Sequence, residues 1–128
     1  MAPEHMKLDV GEQSGAHVVT VVGEIDISTA PELRRRLSTL VDDGAGRVIV
    51  DLEGVEFLDS TALSVLIGAR RRLERQGRDL ELVCTRAPVL RVLAVTGLAR
   101  YFTLHDSLDL ALAPRAVDVT GASLDGPA

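Results

Sequence analysis

The chain has 128 residues, enough for one domain with a self-sufficient core. Its hydrophobic content of 46% excludes an intrinsically disordered chain, and its net charge of −5 argues against a general nucleic-acid binder and, more weakly, against an anionic membrane surface. The single cysteine, Cys84, excludes an internal disulfide; no apolar stretch is long enough to span a membrane, and Met1–Lys7 lacks a signal-peptide core, so the simplest compartment is the cytoplasm.

Taken in order, Leu8–Glu12 is a weak candidate strand, followed by a turn at Gln13-Ser14-Gly15. His17–Ile25 is a stronger strand, carrying Val18, Val19, Val21, Val22 and Ile25. The Thr29-to-Glu32 spacing of a capping box, with Pro31 in the first turn, predicts a helix whose apolar face is Leu33, Leu37, Leu40 and Val41. Gly44 and Gly46 end it. Arg47–Leu52 contains Val48-Ile49-Val50, a continuous apolar run expected of a strand covered on both faces. Glu53–Leu58 reads as a short connection.

Asp59 is a good N-cap for a helix over Ser60–Gln76, with Ala62, Leu66, Ala69 and Leu73 as its apolar stripe and Gly77 as its C-terminal stop. Arg70, Arg71, Arg72 and Arg75 favour the negative end of that helix; the cluster 70–72 reads as a solvated face, with contact to an acidic partner as the alternative. Leu80–Cys84 is a buried strand, Pro88–Thr96 a short helix closed by Gly97, and Tyr101–Leu104 a last short strand. Ser107 caps a final helix over Leu108–Ala113, and Pro114–Ala128 is expected as a flexible tail. The alternation implies a single α/β domain over residues 1–113, with a mixed, mainly parallel sheet of about four or five strands and about four helices.

The segment Phe57-Leu58-Asp59-Ser60-Thr61-Ala62-Leu63 is the most informative for chemistry. A hydroxyl at a helix start lies near the positive dipole end, where a phosphate is tolerated by the fold. A partner docked there would meet a bulky group of charge about −1.5 to −2. On the residues alone, the same segment also reads as an ordinary Asp-Ser-Thr cap.

Three segments together carry a family resemblance: Gly23-Glu24-Ile25-Asp26 with Thr29-Ala30-Pro31-Glu32-Leu33; Val48-Ile49-Val50-Asp51-Leu52 with Val55; and Phe57 to Leu63. From about Val18 to Ala113 the chain resembles the anti-sigma factor antagonists, the STAS domain family. The resemblance implies that Ser60 is phosphorylated by a kinase that is also the anti-sigma factor. The unphosphorylated protein binds that kinase and frees a sigma factor, and a serine phosphatase reverses the modification. It further implies a partner surface of Asp26, Ser28, Thr29, Asp59, Ser60, Thr61, Ala62 and Ser64. The family often has glycine where this chain has Ala62, and a small residue or glycine at Ser64; the Ala62 methyl is expected to bear on how closely a partner approaches.

Rival assignments are fewer in support. Asp51 sits where a response-regulator receiver keeps its phospho-acceptor, but the acidic pair and later lysine of a receiver are missing. There is no Gly-x-Ser-x-Gly elbow and no Walker loop, so no catalyst and no cofactor are expected. His5, His17 and His105 are scattered, without metal-ligand spacing. The alternative functions are a scaffold subunit of a stress-signalling assembly and a small-molecule or lipid-binding module of the same fold. The expected protein is a monomer or weak dimer that binds neither nucleic acid nor membrane directly.

Overall fold

The computed structural model describes residues 5–44 and 46–113. The expected tail over 114–128 lies outside them. Strand β1 (Met6–Gln13) and strand β2 (Ala16–Ile25) form an antiparallel hairpin. Its two-residue turn is Ser14-Gly15, both at positive φ (51° and 79°), which matches the twist of the flanking strands. β1 is longer than its sequence pattern suggests. Leu8 and Val10 alternate with Lys7, Asp9 and Gly11, so only one face is apolar, while the pairing with β2 runs from Met6↔Gly23 to Gln13↔Ala16.

Helix α1 (Ala30–Asp43) follows, then strand β3 (Arg47–Leu58), helix α2 (Ser60–Glu74), strand β4 (Leu80–Val83), helix α3 (Ala87–Val95), strand β5 (Thr103–His105) and helix α4 (Leu108–Leu112). A 3-10 turn, Leu98–Arg100, lies between α3 and β5. The sheet order is β1-β2-β3-β4-β5, with every pair after the first parallel. The expected mixed, mainly parallel α/β sheet is therefore present, with five strands and four helices among the described residues.

The largest departure from the sequence reading is β3. Glu53–Leu58 is not a connection: the strand continues, pairing with β2 as far as Ile25↔Leu58 across two register irregularities. Gly54 allows the close approach, since a Cβ there would lie 2.8 Å from Val22 Cγ2. The acidic residues Glu53 and Glu56 obscure the strand in sequence, because that run no longer looks like a buried one.

Successive parallel strands joined by right-handed crossovers put α1, α2 and α3 on one face. Their side chains Leu33, Leu37, Leu66, Leu73, Val89 and Leu93 share one core with Val19, Val21, Val50, Leu52 and Leu82. The alternate strand residues Ile49 and Val83 face the other way, where α4 covers them through Ala111, Leu108 and Leu112. α2 ends in a Schellman motif: Gly77 N–H donates to Glu74 O and Arg78 N–H to Leu73 O, both at 2.9 Å. The arginine cluster is not simply solvated. Arg70 lies 4.1 Å over the Tyr101 ring and pairs with Glu74 and Asp79, and Arg72 pairs with Asp42 at 2.8 Å.

α4 is held by a polar latch. Arg47 donates from Nε and Nη2 to the buried Glu81 carboxylate at 2.9 and 2.6 Å, and from Nη2 to Ala111 O at 2.8 Å. His105 Nε2 lies 2.8 Å from Glu81 Oε1. Burial pushes the Glu81 carboxyl up, but the hydrogen bonds and charges of Arg47 and His105 outweigh it and hold the group below the usual carboxylate range.

A lowered folded-state value stabilises above the unfolded pKa and is lost as pH falls through the folded one. Glu81→Gln is therefore expected to destabilise by about 2 kcal/mol at neutral pH, with the gap to wild type closing in acid; urea unfolding at neutral and acidic pH measures both. Gly23→Ala is expected to destabilise by about 2–3 kcal/mol in the same assay, because Gly23 has φ +108° and a Cβ there would come within 2.2 Å of His5 O.

Candidate functional site

Two loops meet at the carboxyl ends of β2 and β3, the end of a parallel sheet where ligands and partners are commonly received. They are joined by the backbone: Ile25 pairs with Leu58, and the Asp59 N–H donates to Ile25 O at 3.2 Å.

In the second loop, Asp59 has extended backbone and its Oδ1 accepts from Thr61 N at 2.9 Å and Ala62 N at 3.1 Å, while its carbonyl accepts from Leu63 N. The expected N-cap is thus formed. Ser60 is the first helical residue and is exposed. Its hydroxyl has no hydrogen-bond partner among the described residues, whereas the Ser64 hydroxyl donates to Ser60 O at 3.0 Å. Asp59 already occupies three of the helix's first amides, so a phosphate on Ser60 would feel the dipole but would find few unused donors. It would add its charge beside a carboxylate and project it toward solvent.

In the first loop, Asp26 Oδ1 accepts from Ser28 N (2.9 Å), Ser28 Oγ (2.7 Å) and Thr29 N (3.2 Å). Thr29 is fully buried; its hydroxyl accepts from Asp26 N at 2.8 Å and donates to Glu24 O at 2.9 Å. The expected capping box does not form. Thr29 Oγ1 bonds back to the strand end rather than forward to the helix, and the Glu32 carboxylate pairs with Arg35 at 2.6 Å. The Asp26 carboxylate takes over the role of binding free amides at this helix start. Hydrogen bonds from the Ser28 hydroxyl, the Ser28 and Thr29 amides, and the nearby His5 hold Asp26 below the usual carboxylate range against partial desolvation, so it stays anionic.

The expected partner residues therefore divide. Asp26, Ser28, Asp59, Ser60, Thr61 and Ser64 retain some exposure at this edge, and Ser60, Ser28 and Ser64 are the most open. Thr29 and Ala62 have no exposed side chain. The Ala62 methyl packs into the core rather than standing at the surface as the sequence reading expected, and Thr29 is bonded inward to the end of β2. Asp51 lies mid-strand, its Oδ1 accepting from Glu53 N at 3.0 Å, away from this edge.

Three residues at the edge lie outside the partner surface expected from the sequence. His5 was one of three scattered histidines, yet its Nε2 lies 3.1 Å from Ser28 Oγ and 3.7 Å from Asp26 Oδ2. The hairpin register carries the signal: counting back from Ser14-Gly15 places Met6 opposite Gly23, and Glu24 N donates to His5 O at 3.0 Å. Ile27, in the first loop, and Phe57, next to the last residue of β3, are large apolar residues left 76% and 50% exposed, which is the composition of a contact surface. Among the described residues no group of three or more His, Cys, Asp and Glu is arranged to hold a metal ion, and no helix is long and apolar enough to cross a membrane.

The family model of the STAS domain matches residues 7–111. The chain is similar to the anti-sigma-B factor antagonist of Staphylococcus aureus, with 30% identity over 106 residues, 83% of this chain and 98% of the relative. To the anti-sigma-B factor antagonist of Bacillus subtilis it is 34% identical over 94 residues, 73% of this chain and 85% of the relative. Its fold is similar to the crystal structure of an anti-sigma factor antagonist from Mycobacterium paratuberculosis, with a TM-score of 0.79 and 34% identity over 87% of this chain and 94% of that one. The five-stranded sheet, the two loops at the ends of β2 and β3, and these matches over most of the chain lead to one conclusion: the chain belongs to the STAS domain family.

Proposed function

We propose that this protein is an anti-sigma factor antagonist whose binding is switched off by phosphorylation of Ser60. The observation that carries the reading is the state of the Ser60 hydroxyl: exposed, without a hydrogen-bond partner among the described residues, and fixed at the first turn of α2 by the Asp59 cap. The ends of β2 and β3 that lead into the two loops also carry the exposed apolar Ile27 and Phe57 and the anionic Asp26 loop.

In this reading the protein is a binding partner and not a catalyst. The unmodified edge docks on an anti-sigma factor that is also a serine kinase, which releases the sigma factor held by that kinase. The kinase supplies ATP, metal and catalytic groups. Transfer of the γ-phosphoryl group forms the Ser60 Oγ–P bond, breaks the bond to ADP and releases the hydroxyl proton. The product carries a charge of about −1.5 to −2 next to the Asp59 and Asp26 carboxylates. At a desolvated interface that charge has no compensating partner, and a loss of about 2.7 kcal/mol corresponds to roughly 100-fold weaker binding. A serine phosphatase restores the hydroxyl. The site of action is the cytoplasm.

The test measures binding to candidate anti-sigma kinases from the same cell, with and without ATP. Wild type is expected to bind, become phosphorylated at Ser60 and dissociate, while Ser60→Ala stays bound. Absence of any kinase complex, with Ser60 unmodified, would overturn the reading. Asp59→Ala is expected to lose about 1 kcal/mol of stability through the missing cap, and to be phosphorylated more slowly than wild type because the acceptor turn is no longer fixed; thermal unfolding and a phosphorylation time course measure the two effects.

A further inference from the structure

Helices α1 and α2 leave a groove of about 200 Å³ between them, beginning one turn beyond Ser60. Its floor is Leu37, Val65 and Ala69. Ser64, whose hydroxyl is bonded to the Ser60 carbonyl, lies at its edge. Among the described residues the charged side chains lining it are Arg34 and Arg72, on a chain whose net charge is −5. Arg72 shares its charge with Asp42 at 2.8 Å, while Arg34 makes no ion pair or hydrogen bond among the described residues.

Gly68 makes this groove more than a seam. Glycine inside a helix is disfavoured relative to alanine, and an exposed position has no packing reason to accept it. Gly68 is exposed, sits in the middle of α2, has no positive φ, and a Cβ there would meet no atom within 4 Å. Neither backbone conformation nor close packing within the domain requires it. What the missing side chain does is keep the groove open.

The volume is below the roughly 300–1,000 Å³ of pockets that enclose a small molecule, and it suits a single anchoring side chain. We infer that this groove is a second docking point for the anti-sigma partner, taking an apolar side chain flanked by carboxylates. The apolar residue seats on Leu37, Val65 and Ala69, and its acidic neighbours meet Arg34 and Arg72. The inference rests on the proposed antagonist function and deepens it: Ser60 reports the modification state, and the groove one turn away adds affinity and selects an acidic segment. Charge at the rim is expected to set selectivity and association rate more than total affinity.

Two measurements test this separately from the Ser60 switch. In the first, the full isotope-labelled chain is titrated by NMR with acetyl-EELEE-amide and with its charge-reversed counterpart acetyl-KKLKK-amide. The acidic peptide is expected to shift the amides of Ser64, Gly68 and Arg72 at millimolar concentration, and the basic one to leave them unmoved. Gly68→Leu, which fills the groove, and Arg34→Glu, which reverses its rim, are each expected to weaken that binding about tenfold. Thermal unfolding of Gly68→Leu at or above the wild-type temperature shows that the variant is folded. In the second, Gly68→Leu is expected to bind the anti-sigma kinase about tenfold more weakly than wild type without ATP, yet still be phosphorylated on Ser60 at saturating kinase. Undiminished kinase binding by Gly68→Leu, or groove shifts that are missing or equal for both peptides, would overturn the inference. So would self-association of wild type that Gly68→Leu abolishes, which assigns the groove to a second copy of the chain. If no kinase binds even wild type, the Ser60 reading fails by itself and the peptide titration decides the groove, since it uses neither kinase nor ATP.

Discussion

The parallel pairing of β2 and β3 runs to the very ends of both strands, where Ile25 faces Leu58 and the Asp59 amide adds one more bond to the Ile25 carbonyl. Everything at the functional edge hangs from that junction. Because the two strand ends are tied, the Asp26 loop and the start of α2 are held at the same end of the sheet, where the Ser60 hydroxyl is exposed. Gly54 allows β3 to lie close to β2, where a side chain would collide with Val22, and Gly23 does the same on the other side of β2, where a side chain would collide with the residue leading into β1.

The two loops solve the same electrostatic problem with one residue type. In each case an aspartate accepts free backbone amides where a helix begins: the Asp26 carboxylate those of Ser28 and the N-cap Thr29 just before α1, the Asp59 carboxylate those of Thr61 and Ala62 in the first turn of α2. The consequence for a switch is specific. With most of those donors taken, the edge carries negative charge and little spare capacity to absorb more, so a phosphate on Ser60 would change the surface more than the fold.

On the opposite face of the sheet the constraint is different. Sequential right-handed crossovers place α1, α2 and α3 on one side, which leaves Ile49 and Val83 uncovered until the chain returns with α4. A five-residue helix buries little by itself. Its hold is reinforced by Arg47, which bridges the buried Glu81 carboxylate and the Ala111 carbonyl, with His105 completing the acid's hydrogen bonding. A buried carboxylate on a sheet face is tolerable only with partners of that kind.

Much of this architecture was legible in the sequence, because it rests on local signals. The Val-rich run before Ile25, the Leu33-Leu37-Leu40 spacing, Gly77 after α2 and the Asp59 cap each act within a few residues, so their meaning survives without knowledge of the fold. The Ser60 position at a helix start was set in the same way. What only the tertiary structure decided depends on partners distant in sequence. β3 extends through Glu53–Leu58 because β2 lies beside it, not because those residues look like a strand. Thr29 turns inward because the Glu24 carbonyl and Asp26 amide await it, and His5 joins the edge because the hairpin register carries it there. Gly68 reads in sequence as a weak point in a helix; it becomes the open wall of a groove only when α1 packs alongside, since neither helix alone encloses any space.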